Sequence, residues 1–160
     1  MRRSLDVEVE PAAAKDLPAI LRLLMANSLP QDGLAAHVGT ALVARARESV
    51  VGCAALEVYS ASALLRSVAV HEAYHGMGVG RRLTVAALDL ARQRHVEDVY
   101  LLTTTASGFF RRFGFVEVSR QRVPSAVQAS VEFTSACPDT ALAMWRTLRE
   151  NGAERKRGDA

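Results

Sequence analysis

The sequence predicts a mixed α/β domain in which an antiparallel hairpin precedes a strand–loop–helix–strand crossover. The hairpin is indicated by two apolar runs, Ala41–Ala46 and Val50–Tyr59, on either side of a charged tip. A third apolar run, Ala63–Val70, leads into a glycine-rich segment. Beyond that segment, apolar residues recur at helical spacing over Arg81–His95. These observations favour a mostly antiparallel sheet flanked by helices.

The elements outside this central part follow weaker patterns. Leu5–Glu10 alternates apolar and acidic residues, which predicts a half-buried strand. Asp16 is a candidate cap for a helix with apolar residues from Leu17 to Leu24, and Gln31–Gly39 is a short helix or loop. Later strands are predicted at Val99–Leu102, Phe115–Val118 and Ala141–Leu148, with a short helix at Ser107–Phe113. The last strand is expected to be an edge or closing strand.

Length and composition predict a single globular domain over residues 1–148, followed by a polar, disordered tail over 149–160. No apolar run reaches the roughly 18 residues that a spanning helix requires. The two arginines near the start precede no apolar stretch, so a signal peptide is not expected. We therefore expect a cytoplasmic protein without a membrane partner.

Charge and cysteine content argue against nucleic-acid binding and against metal binding. The net charge is +3, but arginines are scattered among acidic residues, which favours a solvated basic surface over a nucleic-acid interface. Cys53 and Cys137 lack the spacing of a zinc site, and no metal is expected. Cys53 lies in an apolar run typical of a buried reduced thiol, and Cys137 is interpreted as structural.

The glycine-rich segment is the strongest functional signal in the chain. Gly76, Gly78 and Gly80 allow a tight backbone turn at the start of a helix, where unpaired amides and the helix dipole suit a pyrophosphate. A dinucleotide-binding loop would follow the first strand of a βαβ unit, whereas an antiparallel hairpin comes first here. A nucleotide P-loop would contain Gly-Lys-Ser/Thr, whereas this chain has Gly80-Arg81-Arg82. A simple turn remains the alternative.

Two motifs resemble those of the Gcn5-related N-acetyltransferase (GNAT) superfamily. The segment Tyr74-His-Gly-Met-Gly-Val-Gly80 is similar to the acyl-CoA-binding motif Gln/Arg-x-x-Gly-x-Gly/Ala, with His75 in the Gln/Arg place. The segment Phe109-Phe-Arg-Arg-Phe-Gly-Phe115 is similar to the Phe-Tyr-x-x-x-Gly-Phe element. The element order agrees from Leu5 to about Leu148. The resemblance implies a sheet that splits between its fourth and fifth strands.

The resemblance implies acetyl-CoA as co-substrate, lying in that split. The main chain of Val68 and Val70 would hold the pantetheine arm and the acetyl carbonyl. Amides of the loop would hold the pyrophosphate, and Phe110 would lie beside the thioester. The implied loop residues are His75, Gly76, Met77, Gly78, Val79, Gly80 and Arg81.

The usual proton donors of the superfamily are missing. Phe110 occupies the place of the tyrosine that protonates the departing thiolate, and Thr103 the place of a frequent asparagine. Glu57, on the strand next to the split, is the candidate base for the acceptor amine. An ordinary solvent-facing glutamate is the alternative for that position.

Arg66 indicates the nature of the acceptor. It interrupts an otherwise apolar strand and, by alternation, shares a face with Leu64 and Val68. An arginine there suits a carboxylate, and a surface arginine is the alternative. Thr103 and Thr105 add hydroxyls to the same rim. Together these residues favour a small anionic amino acid as substrate.

A finer resemblance points the same way. Several segments are similar to arsenic-resistance-type N-acetyltransferases, implied to act on arsenic-containing glutamate analogues: Leu64–Val70, Tyr100–Ala106, Phe109–Phe110, Val123-Pro124 and Cys137-Pro138. Short glutamate N-acetyltransferases of arginine biosynthesis share some of these segments. A non-catalytic acyl-CoA-binding module is the third alternative. The superfamily often dimerises, and an edge strand at Ala141–Leu148 would offer a surface for a homodimer.

Overall fold

A computed structural model describes residues 6–136 and 138–149 of the chain. Cys137 and all of the predicted tail except Arg149 lie outside these residues, as does the start of the first predicted strand at Leu5. Within the described residues, no helix has both the length and the apolar character required to cross a membrane.

In the described part of the chain, the sheet contains seven strands in the order β1-β2-β3-β4-β5-β7-β6. Their bounds are Val7–Pro11 (β1), Ala41–Ala46 (β2), Ser49–Tyr59 (β3), Ser62–Val70 (β4), Asp98–Thr103 (β5), Val116–Glu117 (β6) and Leu142–Thr147 (β7). Among these described strands, β4 and β5 pair in parallel and every other neighbouring pair is antiparallel. The predicted mixed, mostly antiparallel α/β sheet is confirmed.

Over residues 6–136 and 138–149, four α-helices flank the sheet: Leu17–Ala26 (α1), Val79–Gln93 (α2), Ser107–Arg111 (α3) and Ser125–Gln128 (α4). Short 3-10 turns occur at Ala14–Asp16, Leu34–Thr40, Glu72–Tyr74 and Arg120–Arg122, and Glu132–Ala136 forms a π-helical turn. Helix α2 begins at Val79, two residues before the predicted start. Gly80 therefore lies in the first turn of the helix, and Gly78 is its N-cap.

The helices cover opposite faces of the sheet. Leu83, Ala87 and Ala91 of α2 pack with Leu42 and Leu56 in the largest core cluster. Residues an odd number of positions away on the same strands face the other way: Val43 and Cys53 pack with Ile20 and Leu24 of α1. This alternation is what the period of two along a strand requires. A smaller cluster around Leu64, Tyr100 and Val127 packs α4 against the same face of the sheet as α1.

The sheet splits between β4 and β5. The two strands pair from Ser62 opposite Asp98 to Leu64 opposite Tyr100, and pairing ends there. Strand β4 continues to Val70 and β5 to Thr103, so their later residues form the two sides of a wedge. This confirms the split between the fourth and fifth strands.

A β-bulge on β4 reverses the alternation that the sequence suggested. Ser67 has φ 62°, and the register with β3 shifts between Cys53 and Ala55. The extra residue turns Val68 toward the α2 cluster, whereas Arg66 stays on the face of Leu64. The prediction that Arg66 and Val68 share a face was therefore wrong, because uniform alternation cannot include a bulge.

The final strand was also misplaced by the prediction. Strand β7 lies between β5 and β6, with Tyr100 and Val116 on either side of Trp145. It is therefore an internal strand, and the two-residue β6 forms the edge of the sheet. The prediction failed because the order of strands in a sheet does not follow from their order along the chain.

Candidate active site

The glycine-rich loop connects β4 to α2 and presents open backbone. Gly76 and Gly78 have φ of 80° and 79°, in the left-handed region that glycine adopts most readily. A Cβ on either residue would meet no protein atom within 4 Å, so the space above the loop is free. The first amides of α2 have no acceptor within the helix. This free space beside unpaired amides fits the pyrophosphate of a CoA ester.

Some side chains of the loop contact the rest of the protein. Val79 is buried, and Met77 is half-buried against the same core cluster. The Val70 carbonyl can only accept, so His75 Nε2 donates to it at 2.8 Å. This bond ties the loop to the end of β4. Arg81 is exposed at the start of α2.

A cavity of about 600 Å³ lies where β4 and β5 separate. Several predicted site residues lie together on its wall: Arg66, Val68, Thr103, Thr105 and Phe110. Glu132 and residues 27–30 close it from the other side. Its volume is in the range of small-molecule sites. The predicted acceptor residues thus surround one small-molecule-sized space.

Arg66 lies at the centre of a buried ionic network. Its Nη1 donates to Glu57 Oε2 at 2.8 Å, and its Nε lies 3.3 Å from Glu132 Oε2. Nε also donates to Ser67 Oγ at 3.0 Å, and Nη2 lies 3.5 Å from the Pro30 carbonyl. The Arg66 side chain is 0% exposed. The surface-arginine alternative is excluded, and each guanidinium nitrogen has a protein neighbour.

Glu57 lies behind Arg66 rather than on the cavity wall. Tyr59 donates its hydroxyl proton to Glu57 Oε1, and His37 Nε2 lies 3.8 Å from Glu57 Oε2. Burial disfavours the charged form, but hydrogen bonds from Tyr59 and Arg66 outweigh it and hold the pKa of Glu57 below its usual value. The solvent-facing alternative is excluded, since Glu57 is 1% exposed.

The contact between Tyr59 and Glu57 raises the pKa of Tyr59. Burial and the negative charge of Glu57 both disfavour a phenolate, and they raise the pKa of Tyr59 to about 12. Tyr59 therefore keeps its proton and acts as a fixed donor to Glu57 at neutral pH.

Thr103 and Thr105 have different surroundings at the cavity. The Thr103 hydroxyl accepts a hydrogen bond from the Ala106 amide at 2.9 Å, which shapes the turn after β5. Thr105 is exposed on the cavity rim. Substrate contact by either residue stays a prediction.

Phe110 lies on α3 and is 7% exposed. It packs edge-to-face against Phe109 and Phe115 and also lines the cavity. An apolar ring therefore occupies the place where the resemblance implied a proton donor.

A larger cavity, of about 1060 Å³, opens between α1 and the end of the β2–β3 hairpin. On its wall, Arg45 is already paired with both Asp16 and Glu10. It does not include the split in the sheet. We therefore place the candidate active site at the β4–β5 wedge.

Sequence reasoning missed Glu132. This carboxylate is 4% exposed and lies on the π-helical turn after α4, far along the chain from Arg66. It belongs to none of the motifs that the sequence offers. Among the described residues, no group of three His, Cys, Asp or Glu side chains is placed to hold a metal ion.

Comparison with known proteins decides the family. Residues 37–117 match the family model described as the acetyltransferase (GNAT) domain, which is just over half of the chain. The chain belongs to this family. This confirms the superfamily resemblance of the two sequence motifs.

Curated GNAT relatives have similar sequences over part of their length. An uncharacterized N-acetyltransferase of Chlorobaculum tepidum is 34% identical over 92 residues, which are 57% of this chain and 59% of that protein. The amino-acid acetyltransferase of Mycobacterium tuberculosis is 38% identical over 79 residues, 49% of this chain and 45% of that protein. The chain spans less than two thirds of the length of these relatives.

Solved structures agree with the fold. Rv2747 from Mycobacterium tuberculosis, in complex with CoA and a ligand designated NLQ, is 26% identical with a TM-score of 0.71. The match covers 88% of this chain and 99% of that one. N-acetylglutamate synthase from Neisseria gonorrhoeae, complexed with coenzyme A and N-acetyl-glutamate, has a TM-score of 0.76 at 21% identity, over 89% of this chain and 35% of that one. The second match shows the fold alone.

Proposed function

We propose that this GNAT domain transfers the acetyl group of acetyl-CoA to the α-amine of a small amino acid. The observation that carries the proposal is the juxtaposition of two spaces at the β4–β5 wedge. One is the open backbone above Gly76 and Gly78, and the other is the cavity beside Arg66. A thioester lying along β4 from the loop would bring its acetyl end to the cavity.

Acetyl-CoA fits the residues present. Amides from Gly76 to Arg81 would hold the pyrophosphate, and the main chain of Val68 and Val70 would hold the pantetheine arm and polarise the acetyl carbonyl. The β5-facing edge of β4 beyond Leu64 is not paired to β5, which leaves backbone groups available. Positioning and carbonyl polarisation would provide much of the rate acceleration.

A small acceptor is supported by the cavity and by one relative. A space of about 600 Å³ suits a free amino acid better than a protein tail. The Mycobacterium tuberculosis relative at 38% identity is an amino-acid acetyltransferase. Arg66, Thr103 and Thr105 are proposed to line the acceptor site. Glutamate-like acceptors, either glutamate itself or arsenic-containing analogues of the arsinothricin type, are the substrates that the sequence resemblance favours.

A non-catalytic acyl-CoA-binding module is the second candidate, because Phe110 supplies no proton to a departing thiolate. Release of free CoA thiol distinguishes the two functions. The protein is incubated with acetyl-CoA and single acceptors: glutamate, glutamine, phosphinothricin, an arsenical glutamate analogue and a peptide. We expect thiol release with at least one amino acid and none without acceptor. Binding of acetyl-CoA without release would support the module, and release with the peptide alone would indicate protein acetylation.

A further inference from the structure

Two carboxylates contact Arg66, but they occupy different positions relative to the cavity. Glu132 is among the residues that line the cavity, and Glu57 is not. Within the described part of the wall, Glu132 is the one carboxylate and Arg66 the one guanidinium. Of these two carboxylates, only Glu132 is therefore placed to meet a molecule that enters the cavity.

Glu132 also lies close to the bulge of β4. Arg66 Nε lies 3.3 Å from Glu132 Oε2 and donates to Ser67 Oγ at 3.0 Å. Ser67 precedes Val68, whose main chain is the proposed site of the acetyl carbonyl. The Glu132 carboxylate and the proposed acetyl site are thus separated by one arginine side chain and one residue of β4.

The charges of this network favour a cationic guest. Glu57 and Glu132 present two carboxylates to the single guanidinium of Arg66. His37 lies 3.8 Å from Glu57, and Tyr59, which keeps its proton, donates a hydrogen bond to Glu57. An ammonium group in the cavity would be attracted to the Glu132 carboxylate.

We propose that Glu132 binds the ammonium form of the acceptor and removes its proton, while Arg66 and Glu57 hold the Glu132 carboxylate in position. This inference rests on the proposed function. It assigns the base to Glu132 in place of Glu57 and makes Arg66 a positioning residue. Any carboxylate of the acceptor would then contact other parts of the wall, such as the Thr103–Thr105 rim.

The proposed step balances as follows. The acceptor ammonium loses one proton to Glu132 and becomes a neutral amine. The nitrogen lone pair forms a bond to the thioester carbonyl carbon, and the carbon–sulfur bond breaks with its electron pair on sulfur. The resulting amide nitrogen loses its extra proton, and the CoA thiolate takes up one proton. The net products are the N-acetyl amino acid, free CoA thiol and one proton, which Glu132 releases to solvent.

The test compares pH profiles of kcat/KM for the acceptor in the wild type, Glu132→Gln and Glu57→Gln. In the wild type we expect activity to fall on the acid side as Glu132 becomes protonated. Glu132→Gln should lose about 100-fold or more at neutral pH, and its activity should then rise with the fraction of free amine. The KM for acetyl-CoA should not change. Glu57→Gln should lower thermal stability but should keep the acid limb, that is, the decrease of kcat/KM at low pH.

If Glu132→Gln retains both the activity at neutral pH and the acid limb, the assignment of Glu132 as the base is wrong. The same holds if Glu57→Gln alone loses the acid limb. If the wild type acetylates no amino acid, the proposed function itself fails, which is a separate result. Acetyl-CoA binding by calorimetry shows whether each variant is folded.

A measurement on the wild type alone covers the case in which Glu132→Gln does not fold. The acid limb is compared for two acceptors whose amines have different pKa values. A base on the protein keeps the limb at the same pH for both acceptors. A limb that shifts with the pKa of the acceptor amine would show that no protein group accepts the proton, and would overturn the proposal.

Discussion

Arg66 and Glu57 form an ion pair of 2.8 Å between side chains that are 0% and 2% exposed. The pair lies on neighbouring strands, β4 and β3, on the face that carries α1 and α4. A buried pair of this kind contributes little net stability relative to apolar residues, but the loss of one partner leaves an uncompensated charge. We therefore expect the ion pair to hold the cavity wall in place, and the next two predictions test how stability depends on it.

Replacing Arg66 by Met should strongly destabilise the protein. The substitution keeps the length of the side chain but leaves Glu57 and Glu132 buried without their guanidinium. We expect a loss of about 3–5 kcal/mol in the free energy of unfolding, measured by urea denaturation. The control is Arg92→Met, which removes an exposed pair with Asp89 and should have little effect. Equal, small effects of both variants would contradict a buried network.

Stability should decrease at acid pH through Glu57. Its pKa is lower in the folded protein than in the unfolded chain, so its stabilising contribution is complete above the unfolded value of about 4.3. That contribution is lost as pH falls through the folded pKa. Asp16 acts in the same sense, because the hydrogen bond from Arg45 lowers its pKa. Urea midpoints measured across the acid range should therefore fall with pH.

Two matched variants separate the contribution of Glu57 to the pH dependence of stability from that of the other carboxylates. Glu57→Gln removes the titrating group and should flatten the pH dependence, whereas Glu8→Gln on an exposed position of β1 should not. An unchanged slope in Glu57→Gln would mean that the pKa of this carboxyl is the same in the folded and unfolded states.

Gly78→Ala should weaken acetyl-CoA binding. Gly78 has φ 79°, a conformation that costs an L-residue roughly 1–2 kcal/mol, and the added methyl would project into the free space above the loop. The control is Gly39→Ala, where the methyl also meets open space but φ is not positive. We expect a higher Kd for acetyl-CoA by calorimetry for Gly78→Ala alone. Unchanged affinity in both variants would place the cofactor elsewhere.

Phe110→Tyr tests how the thiolate departs. Because the ring borders the cavity, a hydroxyl on it would add a proton donor to the residues around the proposed thioester position. A CoA thiol is acidic enough to leave unassisted, and we expect kcat to change little. A tenfold rise in kcat, equivalent to about 1.4 kcal/mol of barrier, would show that protonation of the thiolate limits the wild type.

The fold could be predicted from the sequence where local patterns are strong. The β2–β3 hairpin, the glycine loop and the helix after it follow from alternation, turn chemistry and helical spacing, and the structure confirms them. The internal position of β7 could not be predicted, since strand order depends on long-range pairing. The bulge at Ser67 was missed because no glycine or proline marks the left-handed residue.

The residues of the candidate site could be predicted where a motif or an unusual residue marks them. The glycines and Phe110 belong to segments with a recognisable pattern, whereas Glu132 belongs to none. Arg66 was identified as unusual in an apolar strand, but its partners depend on the register of β3 against β4 and on the path of the chain after α4. A sequence shows a charge in a core strand without showing what neutralises it.

The most direct measurement of the central claim is identification of the product by mass spectrometry. The protein is incubated with acetyl-CoA and an equimolar mixture of amino acids that includes glutamate, glutamine, phosphinothricin and the arsenical analogue, and free CoA is quantified in the same sample. We predict one or a few N-acetylated small amino acids, formed in equal amount to the CoA released. Tight binding of acetyl-CoA with no acetylated amino acid above the protein-free control would contradict the proposed function.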